Sequence, residues 1–294
     1  MEGNRRRLKR ALHIGFLFLS AYGMAQTPDV FRLEYMLMPR NDTGAKLSRV
    51  KLVANVPIKV KDSHNIVIGG EYNLLGYDLQ RNDVTEGDLF NYFHIVDLNF
   101  AYVHKYNEHW RLIGVLTPRL SSTLDRPVEN GDFSINATIG AFKDRQDIEK
   151  PYRLIFGIAY NSAIPQRIPL PFIYYEKRFH PNWTYVLGVP KTGIKYHLKQ
   201  KHIVQTEFIL DGYSVNIQNS TSLPDAGFAS SISSTVALIT LGYSYNLNKV
   251  MSVYGYMGHT LFQSGVLRDN DRNDIFTLND DPSFYFRTGF RIGI

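Results

Sequence analysis

The 294-residue sequence contains no cysteine and only 2 tryptophans. Without cysteine there is no disulfide framework, thiolate metal site or thiol nucleophile, and no N-terminal cysteine to carry a lipid. Beyond the N-terminus no apolar run is suited to a membrane-spanning helix. The longest charge-free stretch, 226–248, is interrupted by Ser230, Ser231, Ser233, Ser234, Asn246 and Asn248, where a spanning helix would keep hydroxyls sparse. The chain also lacks a Gly-x-Ser-x-Gly elbow, a phosphate loop, a dinucleotide fingerprint and a His-Glu-x-x-His zinc motif. No catalytic group, metal site or cofactor is therefore expected.

The chain does contain 19 Tyr and 18 Phe, side chains that favour strands and water–lipid interfaces. The first 25 residues read as a secretory signal peptide. Arg5, Arg6, Arg7, Lys9 and Arg10 lead into an apolar stretch that ends at Gly23-Met24-Ala25. About 13 apolar residues are too few for the roughly 20 of a spanning helix. Without residues 1–25 the chain carries 28 basic and 26 acidic residues, and its formal charge falls from +6 to +2. Nucleic-acid binding loses its electrostatic basis.

The remainder, 26–294, reads as one domain of alternating strands. In 283–294, Phe284, Phe286, Phe290, Ile292 and Ile294 share one face, while Tyr285, Arg287, Gly289, Arg291 and Gly293 share the other. Lipid outside and ionic groups inside account for both faces. Similar alternation at 31–37, 50–58, 66–74, 96–102, 110–116, 133–139, 152–160, 173–179, 183–189, 194–198, 204–210, 235–245 and 251–259 predicts fourteen strands in all. The count falls to twelve if the short segments 183–189 and 193–199 merge. Tight connections at 106–108, 180–182, 199–201 and 247–249 alternate in parity with long polar ones near 78–90, 121–132, 216–232 and 263–282. With both chain ends in the periplasm, every short turn falls on that side and every long loop outside, the asymmetry of outer-membrane barrels. The fold expected is an all-β, closed antiparallel transmembrane barrel.

The inward face would carry ten basic and six acidic residues. Arg111, Arg119, Arg287, Arg291, Glu34, Asp97 and Glu207 are the candidates for lining a lumen. Barrel closure brings the first strand beside the last, so Glu34 is expected near Arg287 or Arg291. Two readings remain open: a mutually paired ionic interior, or a wet lumen whose basic excess favours anionic solutes. His104 with His109, and His197 with His202, flank two tight turns and would face each other across hairpins. His259 is expected on the lipid side, where a membrane-embedded hydrolase could place a base.

With these features the chain resembles Gram-negative outer-membrane β-barrel proteins, and more narrowly an uncharacterised barrel family common in Bacteroidetes. The phrases that carry the resemblance are Gly23-Met24-Ala25-Gln26, Tyr106-Asn107-Glu108-His109-Trp110, His180-Pro181-Asn182-Trp183 and the closing Phe286-Arg287-Thr288-Gly289-Phe290-Arg291-Ile292-Gly293-Ile294. The resemblance implies a non-enzymatic barrel in the bacterial outer membrane, acting as a narrow passive channel or as a structural or surface barrel. Its expected partners are outer-membrane lipid and, through the C-terminal strand, the barrel-insertion machinery. No nucleic acid is expected, and the chain should be a monomer. A lipid-modifying enzyme and a secreted lipophile-binding barrel are the alternatives.

Overall fold

The computed structural model describes residues 29–42, 45–79, 92–161, 168–199, 201–223 and 227–293. The segment 1–25, expected to be a signal peptide, lies outside them, as do most of the connection near 78–90 and Ile294. The strands are β1 (Phe31–Met38), β2 (Ala45–Lys61), β3 (His64–Leu79), β4 (Tyr92–Lys105) and β5 (Trp110–Ser122). They continue with β6 (Phe133–Arg145), β7 (Tyr152–Tyr160), β8 (Leu170–His180), β9 (Trp183–Gly188) and β10 (Lys191–Leu198). The last are β11 (His202–Leu223), β12 (Gly227–Asn246), β13 (Met251–Arg268), β14 (Asp274–Asn279) and β15 (Phe284–Ile292). Among the described residues no helix is long and apolar enough to cross a membrane.

Every strand from β1 to β13 pairs antiparallel with its sequence neighbour, β13 also pairs with β15, and β15 returns to β1. Leu33 opposite Phe290 and Met36 opposite Arg287 close the cylinder. Fourteen strands form the wall, and β14 is an added short strand on the outer part of β13. Closure gives each of the fourteen wall strands a partner on both sides, as a membrane-spanning sheet requires. The short β9 and β10 remain separate, each paired on both sides.

The alternation falls as the sequence pattern requires. Phe284 and Phe286 are outward and exposed, whereas Tyr285 is buried and Arg287 points inward. Leu33, Leu52, Ile68, Leu98, Phe100, Leu116, Ile139, Ile173, Phe208 and Leu241 continue the exposed apolar surface around the cylinder. Ala237 departs from the outward set and is buried, beside the register shift where Leu261 is left without a partner on β12. At the end with the short turns, aromatic side chains form a belt: Tyr102 on β4, Trp110 on β5, Tyr152 on β7, Tyr175 on β8, Tyr185 on β9, Tyr196 on β10 and Tyr243 on β12. Lys143 lies 5.4 Å from the Trp110 ring and 5.9 Å from that of Tyr152. Amphipathic rings and a snorkelling lysine suit the level of lipid headgroups.

Two of the tight turns use one device. Asn107 Oδ1 accepts from the backbone N–H of His109 and Trp110, each at 2.9 Å. Asn248 Oδ1 accepts from Val250 and Met251 at 2.9 and 2.8 Å. An asparagine side chain that stands in for a backbone acceptor fixes a short reversal.

At the opposite end the structure differs from the polar-loop expectation for 216–232 and 263–282. β11 and β12 run on past residue 216 and pair almost to their joint, β13 continues to Arg268, and β14 covers it. These extensions turn apolar side chains into the barrel, so they have a core of their own to cover.

Candidate functional site

The barrel interior is layered. Its long-loop end is a buried apolar core inside the cylinder. Met36 and Met38 from β1, Leu47 from β2, Leu75 and Tyr77 from β3, and Phe93 and Ile95 from β4 meet side chains from the far wall. Those include Ile209, Val215 and Ile217 from β11, Ile232 and Leu238 from β12, Leu267 from β13 and Leu278 from β14. Phe93, Leu75, Ile232, Leu267 and Leu278 are fully buried. A second cluster, Ile155, Ala159, Phe172, Tyr174 and Val186, lies within the β7–β9 wall.

The backbone also crosses the mouth. β5 and β11 stand six places apart around the wall, yet Ser122 pairs with Asn216, and Thr123 N–H donates to Asn216 O at 3.2 Å. The connection after β5 is clamped there. Asn216 Nδ2 and Gln218 Nε2 donate to the two oxygens of Asp132 at 2.8 and 2.7 Å, and Glu129 N–H donates to the same carboxylate at 2.9 Å. Burial alone would raise the pKa of Asp132. The hydrogen bonds from Glu129, Ser122, Asn216 and Gln218 prevail and hold it below its ordinary value.

A lowered folded pKa means that the clamp is at full strength above the unfolded carboxylate value and weakens as pH falls through the folded one. Amide-exchange protection of 124–131 is therefore expected to drop on acidification into that low window. Asp132→Asn should give low protection already at neutral pH and a flat pH response. A loop equally protected at both pH values in both proteins would contradict the clamp.

Below the plug lies a charge layer. Arg119 donates bidentately to Asp97 at 2.6 and 2.7 Å. Lys51 Nζ is 2.6 Å from Glu71, which also accepts from Asn73 at 2.8 Å. Glu71 and Asp97 are direct cross-strand neighbours, so Lys51 and Arg119 on their flanks offset a like-charge pair. Arg49 reaches Asp211 across the lumen at 3.1 Å and lies 3.9 Å from Glu34 on the adjacent β1. Arg287 lies 3.8 Å from Glu34 and 3.9 Å from Glu207, with its guanidinium 4.3 Å from the Tyr256 ring. Tyr254 donates to Glu34 at 2.8 Å. Lys191 pairs with Glu207, Lys195 with Glu176 at 2.9 Å and Arg153 with Asp144 at 2.5 Å.

Glycine makes room for the two tyrosines. A Cβ at Gly289 would lie 2.5 Å from Tyr254 Oη, and one at Gly242 would lie 2.3 Å from the Tyr256 ring. Any larger residue there would displace the rings that order Glu34 and Arg287.

The seven candidate residues thus separate. Glu34, Asp97, Arg119, Glu207 and Arg287 belong to the paired layer. Arg291 lies nearer the short-turn end, where its Nε donates to Ser252 at 2.8 Å. Arg111 stands 5.5 Å from the Phe142 ring. Glu34 meets Arg287, one of the two neighbours expected for it. The basic excess expected from sequence does not appear in the layer. Asp144 and Lys191, which lie outside the inward set expected from sequence, join it, Arg178 turns to the Pro181 carbonyl at the rim, and Arg32 pairs with Asp29. The ion pairs within the layer contain seven cations and seven anions. A cylinder that returns each carboxylate to a cation avoids the cost of isolated charge at membrane depth.

The histidine pairs are corrected. His104 stacks beside His64 across β3 and β4 with ring centroids 4.8 Å apart, and His109 sits in the turn. His197 bonds to Thr184 at 2.9 Å, while His202 bonds to Tyr243 at 2.6 Å. The hairpin registers set His104 opposite Leu112, His197 opposite Ile203 and His202 opposite Leu198, so neither pair is directly cross-strand. Among the described residues no three metal-ligating side chains converge. His259 is outward, with Nδ1 2.8 Å from the Thr260 carbonyl and its ring against Phe284.

Comparison with solved structures returns distant barrels. The NanC porin is 8% identical with a TM-score of 0.38, over 90% of this chain and all of that one. A deletion mutant of the TodX monoaromatic hydrocarbon channel is 10% identical with a TM-score of 0.39, over 92% of each chain. Outer membrane phospholipase A from Escherichia coli is 12% identical with a TM-score of 0.32, over 91% of this chain and 97% of that one. Likeness at this level does not speak to a substrate. Curated proteins give no match. A family model described as a domain of unknown function, DUF6268, matches residues 38–293.

Proposed function

Since the chain belongs to the family of the domain of unknown function DUF6268, we propose its role from the interior of its own barrel: a closed, non-conducting barrel of the Gram-negative outer membrane. Its short turns face the periplasm and its long loops the exterior. The observation that carries this reading is the apolar core packed across the lumen, with Phe93, Leu75, Ile232 and Leu267 fully buried inside the wall. Below it, the balanced ionic layer ties β1, β2 and β15 to β11. A hydrophobic constriction of this kind blocks ions by excluding water. The barrel then serves as a rigid membrane-embedded scaffold that presents its outer hairpins on one side and a polar hollow on the other.

Planar-bilayer recording of the refolded chain tests this. The expected record is flat, without discrete conductance steps at moderate voltage. Reproducible unitary steps would replace this reading with the narrow passive channel.

A further inference from the structure

The outer wall carries a hollow of about 570 Å³ that spans β11, β12, β13, β15 and β1. Along one row of the sheet Tyr243 pairs with Gly255, Gly255 with Thr288 and Thr288 with Tyr35. Two small residues thus stand between two outward tyrosines. The next row, Leu241, Met257 and Phe286, is large and exposed, and it closes the far end. Gly242 and Gly289 make room for rings inside the barrel, whereas a Cβ at Gly255 would meet nothing within 4 Å. Glycine weakens a strand and often marks the close approach of another group. Thr288 Oγ1 donates to the Tyr254 carbonyl at 3.0 Å, so its hydroxyl is satisfied within the wall and the hollow is apolar.

Toward the short-turn end the chemistry changes. The Tyr243 hydroxyl bonds to His202 Nδ1 at 2.6 Å, and the turns beyond hold the exposed Lys199, Lys201 and Lys249. Asn246 N–H donates to the Lys201 carbonyl at 2.8 Å, so the turns 199–201 and 247–250 lie side by side. Neither contains an acidic residue. From Met257 to Met251 the strand descends about 20 Å at its usual rise per residue. A strand tilt of about 40° lowers that to roughly 15 Å, half the thickness of a hydrocarbon core. The far end of the hollow is then near the middle of the membrane, and the lysines are at the level of the headgroups.

We propose that the hollow and the lysine turns form a site for one anionic glycerophospholipid of the periplasmic leaflet. One acyl chain lies along β12 and β13 and fills the space over Gly255 and Thr288, and the phosphate meets Lys201 and Lys249. Lipid tails are as apolar as the wall, so close packing holds the chain. Each lysine adds attraction for an anionic headgroup. The site rests on the membrane placement of the barrel and is independent of whether the lumen conducts.

Native mass spectrometry of the full chain in detergent, titrated with phosphatidylglycerol or with phosphatidylcholine of the same acyl chains, tests the assignment. One phosphatidylglycerol is expected to be retained in preference to phosphatidylcholine. Lys201→Gln and Lys249→Gln should each weaken phosphatidylglycerol about fivefold and leave phosphatidylcholine unchanged. Gly255→Phe fills the hollow and should abolish the retained lipid. Gly114, on β5, also has open space at its Cβ, and Gly114→Phe should bind as the parent does. Heat-shifted gel mobility verifies that each variant is folded. The lysines sit in exposed turns, so their variants keep the test available if Gly255→Phe fails to fold. Equal retention of the two lipids, unchanged binding in folded Gly255→Phe, or a dimer that Gly255→Phe dissociates would overturn the site, the last by giving the hollow to a second copy. From protein that floats with lipid vesicles, those results overturn the site alone. A chain that does not float would overturn the membrane placement and the site with it.

Discussion

Arg119→Met is expected to destabilise the barrel by about 3–5 kcal/mol, read as a fall in the urea-unfolding midpoint of protein folded in lipid vesicles. Arg119 is the bidentate partner of Asp97, whose side chain is 7% exposed. Its removal leaves that carboxylate buried directly opposite Glu71. Two carboxylates then share one cation, Lys51, and the lone charge must be protonated or draw in water. Asp97→Asn combined with Arg119→Met should recover most of the loss, because the orphaned charge is then gone. A single variant within about 0.5 kcal/mol of the parent, the range of ordinary surface substitutions, would mean that water reaches Asp97 freely and that the interior is wet.

Phe93→Ala is expected to cost a similar amount, about 3–5 kcal/mol. The ring points into the cylinder and is fully buried among Leu75, Met36 and the β11–β12 side chains of the plug. Truncating it removes a large apolar contact and leaves a cavity that a closed wall of paired strands cannot collapse to fill. The same vesicle unfolding measures it. In an open, water-filled lumen the ring would already be solvated, and the substitution would be close to neutral. That neutral outcome would remove the plug from the account.

The sequence made the wall legible because period 2 is imposed twice, by lipid outside and by packing inside. Phe284, Phe286, Arg287 and Arg291 are enough to orient β15, and the turn parity orients the rest. The outer hairpin resembles a polar loop in sequence because Ser230, Ser231, Ser233 and Ser234 hide the strand signal. Yet Val215 and Ile217, alternating with Asn216 and Gln218, carried it in plain form. The plug was hidden for a related reason. Its members, such as Leu75, Phe93 and Ile95, lie on the inward face near strand ends, where local hydropathy cannot separate a lipid-facing residue from one packed across a lumen. Which cation meets which carboxylate was visible only where closure is forced, as for Glu34 and Arg287. The Arg49–Asp211 pair spans strands far apart in order, and no local spacing encodes it.

The absence of cysteine makes single-cysteine spin labelling of β4 the most direct test of the central claim. Labels at Leu98 and Phe100, which face outward, and at Ile95 and Ala101, which are buried inward, are read by collision with oxygen and with a water-soluble nickel chelate in vesicles. The account predicts high oxygen and negligible nickel contact at 98 and 100, and negligible contact with either at 95 and 101. Nickel access at 95 and 101 would contradict it by showing a wet lumen, and nickel access at 98 and 100 would take the barrel out of the membrane altogether.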